Sequence, residues 1–216
     1  MWNKIQKIYM HTSNVRLPAE YQEVEYIQWT WSWWTSWTYI DTWFKPNNNT
    51  RYVVEYEKAD SRQAPIWCWN NPANYGLIII DQYVHYATEI QYTSWLNAIN
   101  TKLLADLNKN NFYLDEVLKN TFTADTFQMN INAWLFCWNR NGEQSNNYWN
   151  IKIWSAKIYD DWTLVRDFVP CYRKQDSVIW MYDIVNNVFY TNAGSWAFTK
   201  WADIPNTTEH LVRPAS

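Results

Sequence analysis

Ala156-Lys157-Ile158-Tyr159-Asp160-Asp161-Trp162-Thr163-Leu164-Val165-Arg166-Asp167-Phe168-Val169 carries two runs of mixed apolar and polar side chains, split by a short acidic break. Runs of this kind, rich in β-branched and aromatic residues, read as half-buried strands, and the break between them as a hairpin turn. The pattern recurs in both directions. Ile151-Lys152-Ile153 lies just before it. Further upstream come Glu23-Val24-Glu25-Tyr26-Ile27, Tyr39-Ile40-Asp41-Thr42, Arg51-Tyr52-Val53-Val54-Glu55-Tyr56, Leu77-Ile78-Ile79-Ile80, Val84-His85-Tyr86-Ala87 and Phe112-Tyr113-Leu114-Asp115-Glu116-Val117. Asn, Asp and Pro clusters separate them at spacings of about ten residues. Asn100-Thr101-Lys102-Leu103-Leu104-Ala105-Asp106-Leu107-Asn108-Lys109 has some helical propensity, but strands flank it and it reads as one more strand. The expected fold is all-β: an antiparallel β-sandwich of the jelly-roll type. No tandem repeat points to a solenoid or propeller.

The length of 216 residues allows one large β domain, expected over 20–203, between an N-terminal connecting segment or edge strand (1–19) and a C-terminal tail (204–216). Within the first segment, Ile5-Gln6-Lys7-Ile8-Tyr9 alternates as an edge strand would. A net charge of −3 with no basic cluster argues against a nucleic-acid partner, because phosphate neutralisation needs grouped Lys and Arg. No apolar run reaches the roughly 18 residues of a membrane span, and Met1-Trp2-Asn3-Lys4-Ile5-Gln6 has no apolar signal core, so no membrane insertion is expected. Cys68, Cys137 and Cys171 are odd in number and widely spaced, without a C-x-x-C pair. They are expected as buried free thiols, with no metal and no cofactor.

Two counts are abnormal: three Gly and 18 Trp. A chain of this length ordinarily holds about 15 glycines, and β-rich chains need them where φ is positive. Tryptophan stands where glycine is expected. Trp162 follows Asp160-Asp161 in a hairpin position that favours Asp-Gly. Trp29-Thr30-Trp31-Ser32-Trp33-Trp34-Thr35-Ser36-Trp37 reads as a small-residue linker if each Trp is replaced by Gly. The expectation is an alternative genetic code in which UGA codons, written here as tryptophan, are decoded as glycine. Several of Trp29, Trp31, Trp34, Trp43 and Trp162 are then expected in loops or turns and well exposed. A chain whose tryptophans are real would instead offer indoles as sugar-stacking platforms.

Leu17-Pro18-Ala19-Glu20-Tyr21-Gln22-Glu23-Val24-Glu25-Tyr26-Ile27, followed by Tyr39-Ile40-Asp41-Thr42-Trp43, resembles the opening of concanavalin A-like, laminin-G-type domains of bacteriophage tail and virion proteins and of bacterial surface proteins. Lys157 to Cys171, Ile179-Trp180-Met181-Tyr182-Asp183 and Phe189-Tyr190-Thr191-Asn192-Ala193-Gly194-Ser195-Trp196-Ala197-Phe198 resemble its closing strands. The resemblance spans about residues 17 to 200, with the middle, 60 to 130, matched by pattern only. In that family Trp43, Trp162, Trp180 and Trp196 correspond to glycine, as does Gly194. The resemblance implies a lectin-like or structural domain of a phage particle, or of a bacterial cell surface, made in the bacterial cytoplasm. Its implied partners are host surface carbohydrate and other virion or tail proteins.

The superfold also carries glucanases, which present three acids in a Glu-x-Asp-x-x-Glu run, and none occurs here. Glu23-Val24-Glu25 and Glu55-Tyr56-Glu57 each put two acids on one strand face and are expected to be solvated and paired with cross-strand Lys or Arg. Asp115-Glu116, read within a strand, points to opposite faces and is no dyad. His11, His85 and His210 lie in no nucleophile frame, so no catalytic residue is assigned and the chain is not expected to be an enzyme. Asn47-Asn48-Asn49 and Asn139-Arg140-Asn141-Gly142-Glu143 are the nearest approach to a calcium loop and are read as turns. Arg166-Asp167, as a charge pair, and Tyr182-Asp183, with a buried hydroxyl, are expected to organise the last strands. Tyr83, Tyr86, Tyr92 and Tyr113 belong to strands that could line a carbohydrate face, yet they read equally as sheet aromatics, and no binding site is assigned. The expected function is a non-catalytic virion or tail domain binding host glycan. The alternatives are an assembly module without a sugar ligand and, less in keeping with the acids present, a glycoside hydrolase.

Overall fold

The computed structural model describes residues 17–30, 38–60, 63–70, 74–80, 82–144, 150–194 and 197–205. The readings above for residues 1–16, for Trp31, Trp33, Trp34, Trp37 and Trp196, and for His210 lie outside them.

The described residues contain strands and one short 3-10 turn, Trp95–Asn97. The strands are β1 (Tyr21–Glu23), β2 (Ile27–Thr30), β3 (Ile40–Asp41), β4 (Thr50–Lys58), β5 (Ile66–Asn70), β6 (Tyr75–Ile80), β7 (Tyr83–Ala87), β8 (Glu89–Tyr92), β9 (Leu103–Asn108) and β10 (Asn111–Leu114). They continue with β11 (Val117–Thr121), β12 (Trp134–Leu135), β13 (Asn139–Arg140), β14 (Glu143–Gln144), β15 (Asn150–Asp160), β16 (Thr163–Arg173), β17 (Val178–Asp183), β18 (Val188–Tyr190) and β19 (Thr199–Lys200). One sheet runs β11-β10-β9-β4-β15-β16-β17-β18, with β1 on β16, β2 on β15 and β19 on β2. The other runs β14-β13-β5-β6-β7-β8, with β12 bridging β5 and β3. Pairing is antiparallel except for one β13–β5 bridge, Arg140 to Trp69.

The alternation seen in the sequence decides which side chains go inside. Every second residue of β4 is buried from Thr50 to Lys58. Tyr52, Val54 and Tyr56 of β4 and Ile151, Ile153, Ala156 and Ile158 of β15 share one core with Ile66, Cys68, Leu77, Ile79, Val84 and Tyr86 of the second sheet. Two sheets closed over a common apolar layer make the sandwich. Leu77–Ile80 is buried throughout because its sheet is covered on both faces. On the outer side Trp67 stacks on Trp138 at 4.2 Å, and Tyr83, Trp69 and His85 extend this aromatic layer. Cys68, Cys137 and Cys171 are buried free thiols, and burial pushes Cys137 up to about 12.

Several local expectations are revised. The run Glu23 to Ile27 is two strands, broken at Glu25-Tyr26, with Val24 held by an isolated bridge to Asp203. The two acids therefore do not share a strand. The run Phe112 to Val117 is also broken: Asp115 and Glu116 sit at φ 49° and 66° and form the two-residue turn between β10 and β11. Positive φ at both positions matches the twist of a tight hairpin, which an acid with local hydrogen bonding tolerates. The stretch 100–109 holds strand β9, as read. Of the tryptophans expected in exposed turns, Trp43 (63 % exposed, φ 51°) and Trp162 (73 % exposed, at the β15–β16 turn) are there. Trp29 is not: it lies in β2, 2 % exposed, where its indole fills the core.

Candidate functional site

The ion pairs are structural. Glu55 meets Lys102 at 2.8 Å and Glu57 meets Lys152 at 2.6 Å across neighbouring strands, as the outer-face reading of these acids anticipates. Arg166 and Asp167 do not pair with each other. Asp167 takes Lys157 at 3.1 Å, while Arg166 lies 3.7 Å from the fully buried Asp183. Adjacent strand residues point to opposite faces, so each found a partner on its own side. Arg166 Nε also donates to the carbonyl of Thr42 at 2.9 Å. The Tyr182 ring is buried, with its hydroxyl 3.5 Å from Asn187 Oδ1.

The four tyrosines do not line one face. Tyr83 and Tyr92 meet edge to face at 5.6 Å on the outer side of the second sheet. Tyr86 is in the core, and Tyr113 belongs to the first sheet opposite Asp106. His85 is buried, its Nε2 has no partner among the described residues, and desolvation lowers its pKa to about 4. The Asn47-Asn48-Asn49 oxygens serve a turn, with Asn47 Oδ1 accepting from the Asn49 amide at 2.7 Å.

A cleft of about 200 Å³ opens where β3, β12 and the β13–β14 turn meet, lined by Asp41, Lys45, Asn130, Asn132, Trp134 and Asn139, with Ile131 and Gly142. Its shape follows from three local facts. Trp134 pairs with Asp41 across β12 and β3. Asp41 Oδ1 accepts the Trp43 amide at 2.8 Å, closing a turn that swings Lys45 alongside. Asn141 and Gly142, at φ 58° and 84°, make the tight β13–β14 turn, and Gly142 donates to Asn139 Oδ1 at 2.8 Å. The polar groups are then linked in series: Asn139 Nδ2 donates to the Asn132 carbonyl at 2.7 Å, and Asn132 Nδ2 to Asp41 Oδ2 at 3.2 Å. The Trp134 indole is 6 % exposed, stacks on Tyr39 at 4.0 Å, and its Nε1 has no hydrogen-bond partner. Asp41 is the one carboxylate in the lining, so the cleft holds no acid pair.

Of these residues, the sequence alone points to the turn 139–143 and, through the resemblance of the opening strands, to Asp41. Asn130 and Asn132 lie far along the chain from Asp41, just before β12, and no motif joins them to it; the Asn132 to Asp41 bond spans 91 residues and follows from the pairing of β12 with β3. Neither a family model, nor a curated protein, nor a solved structure matches the chain.

Proposed function

We propose that the chain is a non-catalytic carbohydrate-binding β-sandwich domain of a phage virion or tail, engaging glycan on a bacterial surface through the Asp41 cleft. The observation that carries the reading is the lining: one carboxylate and three carboxamides beside an aromatic ring. A carboxylate accepts from sugar hydroxyls, an amide both donates and accepts, and a ring covers the apolar face of the pyranose. Lone Asp41 supplies no second acid for hydrolysis. The phage setting rests on the resemblance of the opening and closing strands. A glycan array followed by calorimetry tests it. The exposed Asn130→Ala and Lys45→Ala variants should weaken binding several-fold without changing the melting temperature. Wild-type protein that binds no bacterial polysaccharide, or variants that bind as well as wild type, would remove the reading.

Glycine decoding belongs to the same proposal. Trp43 holds a positive φ, which favours glycine, and Trp162 is an indole left largely in solvent at a hairpin tip, where a small residue suffices. Trp67, Trp134 and Trp180 each bury an indole N–H that has no partner, a cost that glycine would not carry. Glycine at 134 would uncover the Tyr39 ring now stacked on it, so an aromatic face stays beside Asp41 under either decoding. The intact mass of the protein from its native source decides the matter. Exchange of all 18 tryptophans removes roughly 2.3 kDa from 26.2 kDa, and an unshifted mass refutes it.

A further inference from the structure

Six large apolar side chains stand exposed on one side of the sandwich: Ile90 (42 %), Tyr92 (68 %), Trp95 (41 %), Ile99 (47 %), Val117 (55 %) and Leu118 (51 %). They belong to β8, to the 3-10 turn and the segment after it, and to β11. Among the described residues β8 ends the second sheet and β11 ends the first, and each pairs on one side only. The two ends lie together: Lys119 of β11 sits 5.9 Å over the Trp95 ring, and the Thr123 amide donates to Glu89 of β8 at 3.2 Å. Neither strand has a buried side chain, whereas β10 and β9, one and two steps inward from β11, bury every second residue. A strand that buries neither face is stabilised by its own sheet only through its backbone bonds.

We propose that this side is a homodimer interface, in which a second copy of the chain covers the β8 and β11 edges through a two-fold axis. Three observations select a second copy. The side offers two open strand edges, whose free N–H and C=O groups are answered by another strand edge, and a copy brings the same pair. The charges in the two edge strands and beside them are of both signs, Glu89 and Glu116 with Lys119, so the surface is complementary to itself and not to a strongly charged partner. The six side chains present roughly 600 Å² of surface, and the five other than Trp95, which stand under either decoding of the tryptophans, still present roughly 500 Å², against the ~800 Å² that each partner gives to a stable interface. The proposal is independent of carbohydrate binding, since the cleft is lined by β3, β12 and the β13–β14 turn.

Sedimentation equilibrium of the full chain tests it, with Tyr92→Glu and Leu118→Glu as variants. Both positions are exposed in the monomer, so both variants should keep the wild-type melting curve measured at low concentration. Wild type is expected as a dimer at micromolar concentration, and each variant should raise the dissociation constant at least tenfold. Amide exchange supplies a second readout: the β8 and β11 amides should become more protected as concentration rises. A wild type that stays monomeric at its solubility limit overturns the proposal. So does a dimer that persists in both variants, or concentration-dependent protection that appears elsewhere and not at β8 and β11.

Discussion

A β-carbon placed on Gly76 would run into the imidazole ring of His85 on the next strand, far inside contact distance. Gly76 lies opposite Ala87 and His85 opposite Ile78, so the ring leans diagonally across the glycine. This is a position where glycine is required by close approach, not by backbone angle. Gly76→Ala should destabilise the fold by about 2 kcal/mol through overpacking. In urea titrations His85→Ala should restore part of that loss in the double variant. Equal losses in the presence and absence of the ring would show that the two positions do not touch.

The same histidine makes stability depend on pH. Its folded pKa is depressed to about 4 from 6.5, because burial disfavours the charged ring. The unfolded chain therefore binds more protons below pH 6.5, and stability falls as the pH drops toward 4. Between pH 7.5 and 5 the loss should be about 2 kcal/mol. Above about pH 7.5 this group contributes no slope. Denaturant midpoints measured across that range should show the decline in wild type and a flatter profile in His85→Gln.

Trp43 and Trp162 separate backbone strain from mere exposure. Trp43 holds φ 51° and Trp162 follows Asp161, which itself holds φ 55°. Trp43→Gly relieves a left-handed conformation worth about 1 kcal/mol and loses only a tilted contact with Tyr190 at 4.9 Å. It should raise the melting temperature by a few degrees, while Trp43→Ala should gain much less. Trp162→Gly has no such strain to relieve at its own φ and loses the Lys109 contact at 4.7 Å, so its melting temperature should change little. Calorimetry on the three variants gives the comparison.

The strands of the core were legible because each is long enough to show its period. β4 alternates over its whole length and β15 on either side of a register shift between Ile153 and Ser155, and the two pair in the register that buries Tyr52, Val54, Ile153 and Ile158. The breaks were less so. Asp115 and Glu116 read as strand residues because a two-residue turn between β10 and β11 leaves no Gly or Asn signal when acids occupy the left-handed positions. Trp29 was read as linker because its neighbours in sequence are Thr, Ser and Trp, but its burial is decided by pairing with Ile151 of β15. The cleft was the least legible part. Asp41 and Trp134 become neighbours only through the pairing of two two-residue strands, β3 and β12, and strands that short carry no period.

Asp183 is the group on which the last strands depend. It is fully buried, its Oδ1 accepts the amides of Asp167 at 3.0 Å and Val185 at 3.1 Å, and its Oδ2 accepts Asn186 Nδ2 at 2.6 Å. Arg166, 3.7 Å away, supplies the opposite charge and ties it to the Thr42 carbonyl ahead of the Asp41 cleft. Asp183→Ala would leave two amides without their acceptor and a mostly buried guanidinium without its counter-charge, at a cost of about 3 to 5 kcal/mol. Asp183→Asn keeps an acceptor oxygen for the amides and loses the charge, so it should cost less. Both losses should appear in equilibrium unfolding. If Asp183→Asn remains folded, its glycan affinity at low temperature should match wild type, because the residue holds the frame of the cleft and does not line it.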